Sequence, residues 1–180
     1  MNEHRVSFRY ARALLETAQE AKSANVVLDD FKKVDESFKL SRELRSLTAS
    51  PVFRLNKKKE IFRELYNTLE ISALTKDFLQ MLLDKRRGAL IPSIIAEYVT
   101  QYNQLNNILP IEVESAVELT EDLKSEILKR LTEKTKQTLQ PIFKVNPDLK
   151  AGFIVKIDDW MFDASLTNQL KKLYATMAKG

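Results

Sequence analysis

The hydrophobic period of this 180-residue chain changes once, near Asn106-Asn107, and that change constrains the fold more than any other feature. Before it, apolar residues recur at helical spacing. Val27, Phe31, Val34 and Phe38 stand at i, i+4, i+7 and i+11, and Leu74, Phe78, Met81 and Leu82 follow a similar pattern. The period predicts helices over about 5–21, 25–46, 57–68, 72–86 and 89–106, with room for a break in the second, so five or six in all. Pro51 ends one helical stretch, and Pro92 sits in the opening turn of another, where a missing N–H costs little. Short connections make consecutive helices antiparallel neighbours, which gives a bundle.

After the change, Ile108 to Glu114 alternates as a strand with Ile111 and Val113 on one face. Thr120 precedes a helical run carrying Leu123, Ile127 and Leu131, and Ile142 to Val145 reads as a further strand. Asn146-Pro147-Asp148 then breaks the chain, and Gly152 permits close backbone approach. Phe153, Val155 and Ile157 alternate as a half-buried strand, Asp158-Asp159 turns it, and Trp160, Met161 and Phe162 form a second aromatic strand. Asp163 or Ser165 is placed to cap a final helix with Leu166, Leu170 and Leu173 on one face. The expected fold class is therefore α+β: an N-terminal all-helical bundle, residues 1–106, followed by a small mixed α/β domain, residues 107–180. A unit of ~70 residues is marginally stable alone, so the second domain has reason to draw order from the first or from a partner.

Composition weighs against catalysis. The three glycines, Gly88, Gly152 and Gly180, cannot assemble a Walker loop or a dinucleotide fingerprint. The single histidine, His4, stands alone, whereas a metal site needs several convergent ligands. Asp158, Asp159 and Asp163 are explained more simply by a hairpin turn and a helix cap than by an acid/base pair. With no cysteine, disulfides, thiolate metal sites and a thiol nucleophile are excluded, which suits a reducing compartment. No apolar run approaches the ~18 residues a membrane span needs. Glu3, Glu16 and Glu20 argue against a transit peptide and no apolar core of a signal peptide is present, so the segment reads as part of a mature chain.

The net charge of +4 lies in the first 107 residues, which hold 18 Lys and Arg against 14 Asp and Glu; the remainder holds 11 of each. The densest basic runs are Lys57-Lys58-Lys59, at a helix start, and Lys85-Arg86-Arg87, at a helix end, where cations complement the macrodipole. No stacking motif, zinc finger or recognition helix accompanies either run. On the first helix, Arg5, Arg9, Arg12, Glu16 and Glu20 share a narrow stripe. Val6, Tyr10, Ala13, Leu14, Ala18 and Ala21 form one apolar flank, and Phe8, Ala11 and Leu15 another. That arc exceeds the stripe of ≳100° that a helix presents to a single core, so its surplus meets other bundle helices or an external partner.

Two segments carry a family resemblance. Arg9-Tyr10-Ala11-Arg12-Ala13-Leu14-Leu15 is similar to the opening helix of the delta subunit of F-type ATP synthases, called the oligomycin-sensitivity-conferring protein in mitochondria. Asn146 to Leu173 resembles that family's C-terminal signature: an acidic residue and Leu, a small residue and Gly, an alternating strand, then Asp-x-Ser before an amphipathic helix. Ser50-Pro51 with Lys57-Lys58-Lys59-Glu60, and Leu83-Asp84-Lys85-Arg86-Arg87 with Ile91-Pro92, sit at weaker internal landmarks, so the resemblance spans essentially the whole chain. One departure is Ala151, where the family usually has the first glycine of a pair; either that position keeps ordinary dihedrals or the turn is remodelled.

The resemblance implies a non-catalytic stator subunit with no cofactor and no metal, one copy per complex. It would link the catalytic head to the b-subunit peripheral stalk so that proton-driven rotation is coupled to ATP synthesis. It further implies a groove for the N-terminal helix of an alpha subunit, with Tyr10, Ala11, Leu14 and Leu15 on the first helix and Phe78, Met81 and Leu82 on a later one. Trp160 and Phe162 are candidate contacts to the b subunits, with filling of the small sheet's core as their alternative role. The implied location is the cytoplasmic face of a bacterial cell membrane, peripheral through the complex, without direct insertion and without nucleic acid as a partner. The competing reading of the residues alone is a basic helical nucleic-acid-binding or regulatory protein, whose binding would fall steeply with salt.

Overall fold

The computed structural model describes residues 3–50, 53–149, 151–157 and 160–163. Its backbone divides into two compact units, Met1–Tyr102 and Asn103–Gly180. The helices are α1 (Glu3–Glu20), α2 (Ala24–Leu40), α3 (Arg42–Ala49), α4 (Leu55–Leu69), α5 (Ala73–Asp84) and α6 (Ile91–Leu105), with a 3-10 turn at Gly88–Leu90. The long second helix expected from the sequence is indeed two. Ser41 is extended at φ −106° and ψ 111°, and its hydroxyl accepts from the Leu44 N–H to cap α3, while α2 ends on its own backbone bond to Ser37.

Around α2 the first unit closes its core. Val27, Phe31, Val34 and Phe38, the four positions at helical spacing, are all buried. Phe31 meets Phe78 of α5 at 6.3 Å and Tyr98 of α6 at 5.1 Å between ring centroids, and Phe38 meets Phe62 of α4 at 6.4 Å. Edge-on and tilted pairs of this kind add ~0.5–1.5 kcal/mol beyond burial. Asp30, on the same helix, is buried and accepts from the Ser72 N–H at 2.9 Å and the Thr75 hydroxyl at 2.8 Å. It therefore supplements the Ser72 cap of α5 from a neighbouring helix, which fixes where α5 begins.

The second unit is a four-stranded sheet in the order β2-β1-β3-β4, built from β1 (Ile108–Ser115), β2 (Thr138–Val145), β3 (Phe153–Ile157) and β4 (Trp160–Asp163). The helix α7 (Glu121–Thr135), capped by Thr120, connects β1 to its parallel neighbour β2, and the other pairs are antiparallel. Asn107 and Lys136 adopt left-handed dihedrals, φ 55° and 56°, at the ends of α6 and α7 and so turn the chain into the two parallel strands. Alternation on β1 buries Ile111, Val113 and Ser115, and Ile111 and Val113 join Val155 of β3 as the core, flanked by Leu128 and Leu131 of α7. Gly152 takes φ 92°, a conformation that glycine adopts without steric cost. The expected turn at Asp158-Asp159 and the final helix after Ser165 lie outside the described residues.

Candidate functional site

The surface of α1 follows from its pattern with one correction. Val6, Ala11, Leu14, Leu15 and Ala18 are buried, and so is Ser7, which stands between the two expected apolar flanks and joins them into one buried face. A polar residue at its centre made that face read as two. The surplus of the apolar arc stays at the surface: Phe8 is 40% exposed, Ala13 is exposed and Tyr10 is half-buried. Arg12 and Glu16 pair at 2.9 Å on the outer stripe.

The seven expected groove residues fall into two sets. Ala11, Leu14, Leu15, Phe78 and Leu82 are buried within the helical unit, whereas Tyr10 and Met81 remain half-buried. The two helices do meet there: the Tyr10 ring approaches Phe78 edge-on at 6.4 Å and 71°. Tyr10 and Phe78 therefore form an apolar seam between α1 and α5 whose outer side is open to solvent.

In the sheet unit, Phe162 is 43% exposed, so among the described residues it is not a core residue. Trp160 stands in register opposite Ile157 on β4. Phe162 borders an apolar cavity of about 600 Å³ with Leu119, Leu123, Ile127, Leu131 and Phe153, and Lys134 lies 6.0 Å above its ring. Leu123 and Val117, exposed by 48% and 68%, extend this apolar surface. The sequence pattern placed Leu123 on the helical run with Ile127 and Leu131 but did not mark the cavity; Val117 and Leu119, apolar residues in a charged connection, were the available signal.

The opposite face of the sheet is ionic. Lys156 pairs with Glu114 and stands 3.7 Å from Glu112, which also holds Lys144. Asn146 Nδ2 donates to Glu114 at 3.0 Å. The Lys156 hydrogen bond, followed by that of Asn146, holds the Glu114 carboxyl down at about 2, and the same pairing raises Lys156.

Other titratable candidates do not converge. His4 pairs with Glu97 at 2.8 Å on the exposed side of α6, and no group of three potential metal ligands occurs among the described residues. Burial raises the Tyr66 and Tyr98 hydroxyls; Tyr98 donates to the Ala24 carbonyl, and among the described residues Tyr66 has no hydrogen-bond partner. No described helix is long and apolar enough to cross a membrane.

Comparison with known proteins adds what the geometry leaves open. The model of the ATP synthase delta (OSCP) subunit family matches residues 6–177. An ATP synthase subunit delta of Carboxydothermus hydrogenoformans is 32% identical over 168 residues, covering 93% of this chain and 94% of that one. One from Prochlorococcus marinus is 32% identical over 179 residues, covering 97% of each. The fold matches a chain in the Toxoplasma gondii mitochondrial ATP synthase hexamer at TM-score 0.71, with 17% identity, 96% of this chain and 97% of that chain covered.

Proposed function

The chain belongs to the ATP synthase delta (OSCP) subunit family, and on that premise we propose that it is a non-catalytic joint between the catalytic head and the peripheral stalk. The helical unit, taken as residues 1–106, holds the N-terminal helix of an alpha subunit. The sheet unit, residues 107–180, engages the b subunits, with Trp160 and Phe162 among the contacts. The protein then sits peripherally on the cytoplasmic side of a bacterial membrane, through the complex alone.

The observation that carries this reading is the seam of Tyr10 and Phe78 between α1 and α5. An amphipathic helix laid along two neighbouring helices buries its i, i+3, i+4 and i+7 anchors against such a seam. Met81, half-buried beside it in sequence, has the unbranched thioether that adapts to an incoming side chain. Ala11, Leu14, Leu15 and Leu82, which are buried, act in this reading through the packing of α1 and α5. The joint performs no chemistry. It stops the head from turning with the rotor, so that ion flow is spent on synthesis, and it must stay closed under load; nanomolar binding corresponds to ~12 kcal/mol. Two surfaces in one chain let each attachment raise the effective concentration of the other.

The test is calorimetric titration of the full chain with a peptide of the alpha-subunit N-terminus. One-to-one binding is expected, weakened by Tyr10→Asp and Met81→Asp while circular dichroism stays native. A folded chain that binds no peptide would refute the assignment of the groove. In parallel, a C-terminal b-subunit fragment should shift the emission of Trp160, the single tryptophan, and Phe162→Ala should weaken that response.

A further inference from the structure

The two basic runs of the sequence, distant in the chain and unused by the stator reading, meet at one place in the helical unit. Lys59 of α4 pairs with Asp84 at the end of α5. Beside this pair lies a cavity of about 310 Å³, bounded by the end of α3, the start of α4 and the turn that follows α5. Among the described residues, three cationic side chains line it, Arg54, Lys58 and Arg86, and no carboxylate does.

Each cation is placed by the fold. Lys58 spends two of its three N–H bonds on the carbonyls of Thr48, at 3.2 Å, and Ser50, at 2.9 Å, leaving one for the cavity. Arg86 occupies the left-handed position, φ 55°, in the turn closed by the Arg87 N–H to Leu82 at 2.7 Å, where glycine is the usual residue. Arg54 stands at the N-cap of α4. Among the described residues, neither Arg54 nor Arg86 has a carboxylate within ion-pair distance. The first turn of α4 adds to the same sign, since it has no acidic residue and no side-chain cap. Three like charges around one bounded space repel one another, and a multivalent anion relieves all three at once, which a single carboxylate does less well. Apolar Phe53, Leu55, Leu83 and Ala89 share the rest of the wall with Thr48 and Ser50.

We propose that this cavity is a binding site for a small phosphate-bearing anion. Arg54, Lys58 and Arg86 hold the phosphate oxygens, and Phe53, 40% exposed at the rim, covers a flat or apolar body attached to them. The volume lies at the small end of the ~300–1,000 Å³ range of ligand pockets, which favours a compact phosphate compound over a polymer. The site shares no residue with the helix groove and does not depend on the stator reading.

Calorimetric titration of the full chain with tripolyphosphate, with ATP free of magnesium, and with phosphatidylglycerol vesicles tests it, at low and at physiological salt. Saturable one-to-one binding of tripolyphosphate is expected, weakened about tenfold or more by Arg54→Gln and by Arg86→Gln, each of which removes a charge-assisted hydrogen bond. Lys85→Gln, in the same run but outside the lining, should leave affinity within about twofold, as screened surface charge predicts. If ATP binds more tightly than tripolyphosphate and Phe53→Ala removes the difference, the apolar wall holds the base; equal affinities mean that phosphate alone is recognised. The absence of saturable tripolyphosphate binding, equal losses for Lys85→Gln and Arg86→Gln, or binding to vesicles alone would each overturn the site. Circular dichroism on every variant separates lost binding from lost fold.

Discussion

The helical and sheet units bury their apolar residues in different proportions. In the first, Phe31, Phe62, Leu79, Leu82, Leu83, Ile91, Ile94 and Tyr98 are essentially inaccessible, so the bundle has a closed core, with Phe8, Val26, Leu40 and Phe53 left exposed on its surface. In the second, the described buried apolar residues are Ile111, Val113, Ile127 and Val155, while Val117, Leu123, Ile142, Val145, Met161 and Phe162 remain exposed. On the proposed stator reading, the difference means that the two attachments use different physics: binding to the bundle would add contacts to a finished fold, whereas binding to the sheet unit would also supply stability to it.

The largest way to break this contrast is in the smaller core. Ile111→Ala removes about 2–5 kcal/mol, and a unit of this size holds only ~3–5 kcal/mol in reserve. The sheet unit should therefore lose its fold outright, seen as loss of native Trp160 emission, while helical ellipticity largely survives. Phe31→Ala removes a comparable ~3–5 kcal/mol, yet the bundle should remain folded at room temperature with a lowered thermal midpoint. If both substitutions merely lower the midpoint of one shared transition, the units are not separately stable.

Next in size is Asp30→Ala, which strips a buried acceptor from the Ser72 N–H and the Thr75 hydroxyl and should cost about 1–3 kcal/mol in the bundle alone. Hydrogen exchange would locate the loss in the first turn of α5.

Acid should act on the other unit. Glu114 titrates at about 2 in the folded chain against an ordinary 4.5, so its contribution is complete above about pH 4.5 and disappears as the pH falls through 2. Lys144→Met should leave that profile in place, whereas Lys156→Met, removing the principal partner, should move the Glu114 transition toward 4.5; carboxyl NMR titration reads both.

These contrasts also show what the chain declares before it is folded. The α2 anchors and the Ile111 and Val113 pair were legible because their burial follows from local period alone, as was the Thr120 cap of α7. Ser7 and Asp30 were not, since each reads as a surface residue until a neighbouring helix encloses it. Nor was the meeting of the two basic runs, which are separated by the rest of α4 and the whole of α5 and are brought together only by the way those helices pack. Within the groove, period placed Phe78, Met81 and Leu82 on one face, but only packing separates the half-buried Met81 from the buried Leu82.

That last distinction yields the smallest expected change in stability and the sharpest test of the bundle as a finished fold. Leu82 is fully buried, and Leu82→Ala should cost about 2–5 kcal/mol through lost contacts and a residual cavity. Met81→Ser, one residue away on the half-buried side, should stay within about 1 kcal/mol because little of its packing depends on the bundle. Against the alpha-subunit peptide the order reverses if the seam is the binding surface: a true anchor loses ~2 kcal/mol or more on truncation, a thirtyfold weakening. Chemical denaturation and peptide titration on the same two variants therefore give opposite rankings. Equal rankings in both assays would mean that Met81 belongs to the core and that the partner helix lies elsewhere on the bundle.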